Sequence, residues 1–309
     1  MAVPIVIDCD PGHDDAIALW LALASPELDI RGVSAVAGNQ TLSRTAQNAA
    51  RIVDVAGADE VPVGAGVGGP LLESLETAGE VHGEDGLGGT TLPPTTRDPY
   101  AEHGIDLMAR VCGEADEPVT LIATGPLTNV ALALRRHPDL TEQVERIVFM
   151  GGSLGEGNVS PVAEFNIYAD PHAAAIVLAA DVETTMVGLN VTRKAGIPAE
   201  RFDEFRQMGN SIGSHTAELL TFGLEFHASR FGWDWIPVHD ALAVAGVVHQ
   251  NLLETERMHV AVETESDLTR GVTVCDRWGV TGNEPNVDVA VEVDASGFRS
   301  LLFDRISAY

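Results

Sequence analysis

The sequence predicts an α/β protein. It should be one domain on a mostly parallel, doubly wound, Rossmann-like sheet, with an active site at the C-terminal ends of the strands. Three observations predict this. Short β-branched apolar runs alternate with helical patterns along the 309 residues, as in crossover-connected parallel sheets. Polar residues follow several of those runs, where open α/β sheets bind ligands. No repeat or linker divides the chain, and its length suits one large domain over residues 1–309.

The elements follow in order. The apolar run from Val3 to Ile7 predicts a strand at 3–8. Pro11 and Gly12 then supply a turn, Asp14 or Asp15 stands where an N-cap belongs, and a helix is expected at 16–24. A strand at 30–36 leads through Gly38-Asn39 to a helix at 43–55. Residues 64–97, rich in Gly and Pro, read as a long loop, which inside a compact domain is usually functional or disordered. A strand at 119–123 runs into Thr124-Gly125-Pro126, with Pro126 suited to the first position of a helix at 127–136. A strand at 147–150 opens a glycine-rich loop to Asn158 and Glu164-Phe165-Asn166. Asp170-Pro171 then caps a helix at 172–180. A strand follows at 185–189. Phe222, Phe226, Phe231, Trp233 and Trp235 crowd residues 222–237, where helical core packing and ligand contact are equal explanations. Val238-His239-Asp240 opens a helix at 241–248, and strands at 258–263 and 287–293 close the series.

Composition narrows the partners. There are 46 acids against 18 bases, a net charge of −28, and Lys194 is the only lysine. Such a chain has no basic footprint for nucleic acid and is repelled by anionic membranes. Acid-rich, lysine-poor surfaces suit concentrated salt, where the Debye length falls to about 3 Å at 1 M, so a halophilic source is expected. Cys9, Cys112 and Cys275 are scattered and imply no disulfide framework. No export signal or transmembrane-length apolar run is read, so a cytoplasmic protein is expected.

The run from Asp8 to Asp15 is the strongest local signal. It holds Asp8, Asp10, Asp14 and Asp15 within eight residues. Crowded carboxylates raise one another's pKa unless a cation neutralises them, and a helix N-terminus relieves only part of the repulsion. A hard divalent cation on oxygen ligands, calcium before magnesium, resolves it. An N-cap with solvated turn acids is the structural alternative. The polar residues after the other strands would line the same cleft with neutral or anionic oxygen-rich groups. That cleft suits a cation and a polyhydroxylated ligand rather than a phosphate, since almost nothing positive faces it.

These residues also carry a resemblance. DCDPGHDDAIAL at 8–19, AGN at 37–39, HG at 82–83, ATGPLTNVALAL at 123–134, MGGSLGEGNVSPVAEFNIYADPHAA at 150–174 and PVHDALAV at 237–244 resemble the nucleoside N-ribohydrolases. The likeness runs from the first strand to at least residue 246; the last sixty or so residues carry no signature. The resemblance implies a Ca²⁺ held by Asp10, Asp15, the Thr124 carbonyl and Asp240. It places Asp14, Asn39 and Asn166 on the ribose hydroxyls, Asn158 and Glu164 on the 5′ side, and Met150 near the sugar. His239 is the implied general acid and Asp10 the base for the attacking water. His82, His227 and Phe231 would face the nucleobase. A histidine at 239 resembles the inosine–uridine or pyrimidine-preferring members. His227 and Phe231 stand where relatives often carry tyrosine or glutamine. Relatives are commonly dimers or tetramers, so a homodimer or homotetramer is expected, with a ribonucleoside as substrate in nucleoside salvage.

The chemistry agrees with that reading. Breaking an N-glycosidic bond builds positive charge on the sugar ring, which a carboxylate-rich pocket stabilises. The departing base needs a proton. Two rivals use other chemistry. An aspartyl-nucleophile phosphohydrolase also begins strand-Asp-x-Asp, here Asp8 and Asp10, but normally recruits a lysine, and Lys194 lies outside any matching motif. A non-catalytic nucleoside or ribose binder is the other. Paired Cys/His spacing for zinc is absent, although Cys9 and His13 lie near the acids.

Overall fold

The apolar run after Ala2 forms an interior strand of the sheet in a computed structural model that describes residues 2–309. The strands in chain order are β1 (Val3–Cys9), β2 (Leu28–Ala35), β3 (Val63–Ala65), β4 (Val119–Ala123), β5 (Val144–Met150), β6 (Thr184–Val187), β7 (Ile197–Pro198), β8 (Trp235–Ile236), β9 (Leu253–Val262), β10 (Thr273–Asp276) and β11 (Val287–Val293). Nine of them make one sheet in the order β10-β9-β11-β6-β5-β4-β1-β2-β3; β7 and β8 pair separately. From β3 to β11 every pairing is parallel. At the far edge β9 pairs antiparallel with both β11 and β10, so β9 alone is reversed in this sheet.

Both faces are covered. Ile5, Ile7 and Cys9 of β1 pack into one apolar layer and Val6 into the other, the period-two alternation of a buried strand. The helices His13–Leu23, Leu42–Val55, Ser211–Phe231, His239–Val248 and Ala295–Ser307 supply the first layer. Gly104–Glu114, Thr128–Arg136 and Pro171–Leu178 supply the second. The α/β, doubly wound expectation holds.

Several boundaries differ from the sequence reading. The first helix starts at His13 rather than 16, so its N-cap is Gly12 and neither Asp14 nor Asp15. Asp15 is the third helical residue, and its carboxylate reaches back to the Gly12 N–H at 3.0 Å, the N3 half of a capping box. The strand expected at 185–189 ends at Val187 because Leu189 begins a short helix. The long loop contains β3 at its start and the helix Gly79–His82. Among the described residues no helix is long and apolar enough to cross a membrane.

The chain runs from β1 outward to β2 and β3, then returns to β4 on the other side of β1. The connections leaving β1 and β4 therefore diverge and open a crevice at their carboxyl ends. Asp10, Asn39, Thr124 and Gly151 follow β1, β2, β4 and β5 at that end.

Candidate active site

A cavity of about 320 Å³ opens at this crevice. Asp14, Asn39, His82, Thr124, Met150, Asn158, Glu164, Asn166, His227, Phe231, His239 and Asp240 all line it. Asp10 and Asp15 do not; both are fully buried behind its floor. The expected site residues thus converge, in two tiers.

The lower tier is carboxylate. Asp14, Asp15 and Asp240 each place an oxygen within 4.8 Å of the others. Burial is the main force raising their pKa values, to about 6 for Asp14 and well above the ordinary range for Asp240, where Asp14, Asp15 and Asp10 add repulsion. Asp10 is raised too, first by burial and then by Asp15. Its Oδ1 has no hydrogen-bond partner. A methyl group on Gly38 would collide with Asp10 Oδ2, so this close approach requires glycine. Buried carboxylates carrying an unpartnered oxygen fit a hard divalent cation with oxygen ligands. Asp10, Asp14, Asp15, Asp240 and the Thr124 carbonyl are the groups here that could hold one.

Neighbouring amides and hydroxyls orient this tier. Thr124 Oγ1 donates to Asp15 Oδ1 at 2.8 Å. Asn39 Nδ2 donates to the Asp10 carbonyl and to Asp15 Oδ2, both at 3.2 Å. Asn166 Nδ2 donates to the Thr124 carbonyl at 2.7 Å and the Met150 carbonyl at 3.1 Å. These donors are committed to protein acceptors, so Asn166 has its Oδ1 left for a ligand.

Glu164 is doubly employed. Its Oε1 accepts the Asn166 N–H, and its Oε2 accepts the Gly152 and Ile167 N–H groups at 3.0 and 3.2 Å, capping the helix Phe165–Ala169. Burial nevertheless raises its pKa to about 7. Asn158 Oδ1 accepts the Phe165 N–H at 2.9 Å, which fixes the loop beside it.

The upper tier is imidazole and aromatic. The ring of His82 lies over Gly12, and its Nδ1 accepts the His13 N–H at 3.3 Å; a side chain at Gly12 would overlap it. Burial holds His82 well below the usual imidazole range and His13 at about 4. His13, Asp14 and His82 also sit close together. His227 Nδ1 lies 2.8 Å from the Gly223 carbonyl. A carbonyl only accepts, so Nδ1 carries the proton and Nε2 of the neutral ring keeps its lone pair. Burial lowers the His227 pKa. His239 is half-buried and held well below the imidazole range, by burial first and then by His227, Arg193 and His13.

The aromatic run divides between the two explanations offered for it. Phe222 packs against the loop at Gly83 and Gly88. Phe226, Phe231 and Trp233 line the cavity, with Trp233 stacked 4.7 Å from Phe231 and 4.3 Å from Trp235.

Some contributors were not read from the sequence. Arg193 and Arg230 line the cavity, correcting the expectation that almost nothing positive faces it. Arg193 is countered by Glu156 at 3.1 Å. The C-terminal segment, without signature, braces the rim. Thr273 Oγ1 accepts the Ser153 N–H at 3.0 Å and donates to its carbonyl at 2.8 Å. Arg270 pairs with Glu73 and Glu76 and lies 3.7 Å over the Tyr168 ring. Asp8 points elsewhere, accepting from Asn129 at 2.8 Å, and Lys194 pairs with Glu292. The phosphohydrolase pairing of Asp8 with a lysine therefore finds no geometry here.

Comparison with known proteins agrees with this construction. A family model described as inosine-uridine preferring nucleoside hydrolase matches residues 5–300. The chain is 47% identical over 310 residues to the pyrimidine-specific ribonucleoside hydrolase RihA of Escherichia coli O1:K1 / APEC, covering 100% of both. A solved plant nucleoside hydrolase, the PpNRh1 enzyme, superposes with a TM-score of 0.94 at 30% identity, covering 100% of each chain. A purine-preferring ribonucleoside hydrolase from Gardnerella vaginalis gives 0.92 at 30% identity over 98% of each. Sheet, cavity and sequence agree: the chain belongs to the inosine-uridine preferring nucleoside hydrolase family and is a nucleoside N-ribohydrolase.

Proposed function

We propose that this nucleoside N-ribohydrolase is calcium-dependent and prefers pyrimidine nucleosides, or inosine and uridine, in nucleoside salvage. The observation that carries the reading is the two-tier cavity, with buried carboxylates below and buried imidazoles above, among them the half-buried His239. Its volume of about 320 Å³ suits a small ligand.

Asp10, Asp15, the Thr124 carbonyl and Asp240 would hold the cation, with Asp14 beside them. When bound, Ca²⁺ supplies positive charge that returns the carboxylates to their anionic form and orients the sugar diol. Asp14, Asn39 and Asn166 are assigned to ribose hydroxyls, Asn158 and Glu164 to the 5′ side, and Met150 to packing against the sugar. The carboxylates offset the positive charge that grows on the ring as the C1′–N bond lengthens. Asp10 Oδ1, free of protein donors, takes a proton from the water that forms the new C1′–O bond. The base leaves with the bonding electrons and receives its proton from His239 as the imidazolium, a form that burial disfavours until the leaving base draws on it.

His82, His227 and Phe231 are assigned to the base. The lone pair on His227 Nε2 matches an N–H on the base edge, as uracil and hypoxanthine present. The relative named as pyrimidine-specific supports the pyrimidine side. The test is kcat/KM for free-base release from uridine, cytidine, inosine, adenosine and guanosine with Ca²⁺. No free base from any of them would sink the reading and leave a binder.

We also propose a cytoplasmic enzyme adapted to high salt, from its net charge of −28. A homodimer or homotetramer would cover apolar side chains such as Trp278 and Val280, which are 84% and 81% exposed.

A further inference from the structure

Thr192 ends the short helix Leu189–Thr192 that follows β6. It belongs to none of the motifs that carry the family likeness. Its side chain is 1% exposed, and its Oγ1 lies 2.6 Å from His239 Nδ1. Among the described residues this is the only hydrogen bond of either group's side chain. The backbone of His239 is held separately, as the first residue of the helix His239–Val248. Backbone and ring are thus anchored from different elements.

We infer that Thr192 is a positioning residue that fixes the orientation and tautomer of His239. The buried hydroxyl needs an acceptor for its proton, and the imidazole nitrogen is the one within reach. Donation from Oγ1 to Nδ1 leaves the ring proton on Nε2. With Nδ1 occupied, Nε2 is the nitrogen aimed at the cavity, and it carries the transferable proton when the ring is an imidazolium. In the imidazolium, the form that protonates the base, the same hydroxyl turns to accept from Nδ1–H, and the ring keeps its place before and after Nε2 gives up its proton. A carboxylate at this position would favour the charged ring; a hydroxyl holds it without adding charge to an already acidic pocket.

This inference rests on the reading of His239 as the acid. The test compares Thr192→Val, Thr192→Ser and His239→Ala on uridine and on a nitrophenyl riboside, whose leaving group needs no proton. Thr192→Val should lower kcat on uridine by about 10- to 100-fold, the scale of a misplaced catalytic group. KM should move little, nitrophenyl riboside cleavage should be retained, and Thr192→Ser should recover uridine turnover. Equal loss on both substrates, or no loss on uridine, would overturn the Thr192 role while a selective His239→Ala defect kept the acid reading. A non-selective His239→Ala defect removes both. Should Thr192→Val fail to fold, imidazole ¹⁵N NMR of the wild-type enzyme decides: an Nε2–H tautomer at His239 supports the assignment and an Nδ1–H tautomer overturns it.

Discussion

Asp10 Oδ2 accepts the backbone N–H of Asn39 at 2.6 Å, so the carboxylate after β1 is fixed by the loop after β2. This bond commits one oxygen to structure and leaves Oδ1 without a protein partner. Asp10→Asn should keep the first function, because the amide oxygen can still accept from Asn39. It should lose the second, because an NH₂ group cannot take a proton. Removing a general base costs roughly 10²–10⁴-fold. That loss in kcat should appear on uridine and on a nitrophenyl riboside alike, since both need an activated water. Unchanged turnover would remove Asp10 from the base role.

The carboxylates beneath the cavity make a second prediction. Burial raises Asp10, Asp14, Asp15 and Asp240, and repulsion from neighbouring carboxylates adds to it at Asp10, Asp15 and Asp240, so a cation should stabilise the fold as well as enable turnover. Ca²⁺ at 100 times its Kd would add about 2.7 kcal/mol. Chelation should lower the melting temperature and abolish base release, and Ca²⁺ should restore both. Equilibrium dialysis should find one ion per chain. Full activity after exhaustive chelation would exclude the metal from the reaction.

What the sequence revealed divides along physical lines. The turn after β1 was legible because an apolar strand, Pro11-Gly12 and four acids follow one another with sharp contrast. The tight polar turns after β2, β4 and β5 were legible for the same reason. Strand direction at β9 was not, because an apolar run of 258–263 looks alike in either orientation. β3 has only three residues, too few for a period. Thr192, Arg193, Arg270 and Thr273 were missed because their partners lie far away in sequence: Thr192 meets His239 across 47 residues and Thr273 meets Ser153 across 120. Asp14 and Asp15 were visible as residues, but Gly12 took the N-cap because both carboxylates are drawn inward.

Glu164 gives a pH prediction. Its folded pKa is about 7 against an ordinary 4.5, so the folded state binds the extra proton between those values. Stability from this group is fully present below pH 4.5 and falls as pH rises toward 7. The total is on the order of 3 kcal/mol. Glu164→Gln cannot ionise; its single carbonyl oxygen at the Oε2 position keeps the Gly152 and Ile167 N–H bonds and gives up the Asn166 N–H bond made by Oε1. Urea unfolding in chelator at pH 5 and pH 8 should show a smaller decline for the variant than for the wild type. Parallel declines would mean that the carboxyl does not titrate as described.

Salt should stabilise the enzyme. With 46 acids against 18 bases, self-repulsion outweighs the scattered surface ion pairs, which are individually worth about 0–1 kcal/mol. Raising KCl from 0.1 to 1 M shortens the Debye length from about 10 to about 3 Å. The melting temperature should climb across that range at fixed Ca²⁺. A flat or falling profile would argue against adaptation to high salt.

The acid and base roles separate through the leaving group. His239 lines the cavity with Nδ1 occupied by Thr192, so Nε2 is free to serve the base. Uracil and hypoxanthine leave poorly without a proton, whereas a nitrophenolate needs none. His239→Ala should therefore slow uridine and inosine hydrolysis roughly 10²–10⁴-fold and leave the nitrophenyl riboside close to the wild-type rate. Asp10→Asn, by contrast, should slow all three. If both variants lost the nitrophenyl substrate to the same degree, His239 would be placing the sugar rather than protonating the base, and proton donation would have to come from another group at the upper tier, His82 being the nearest candidate by chemistry.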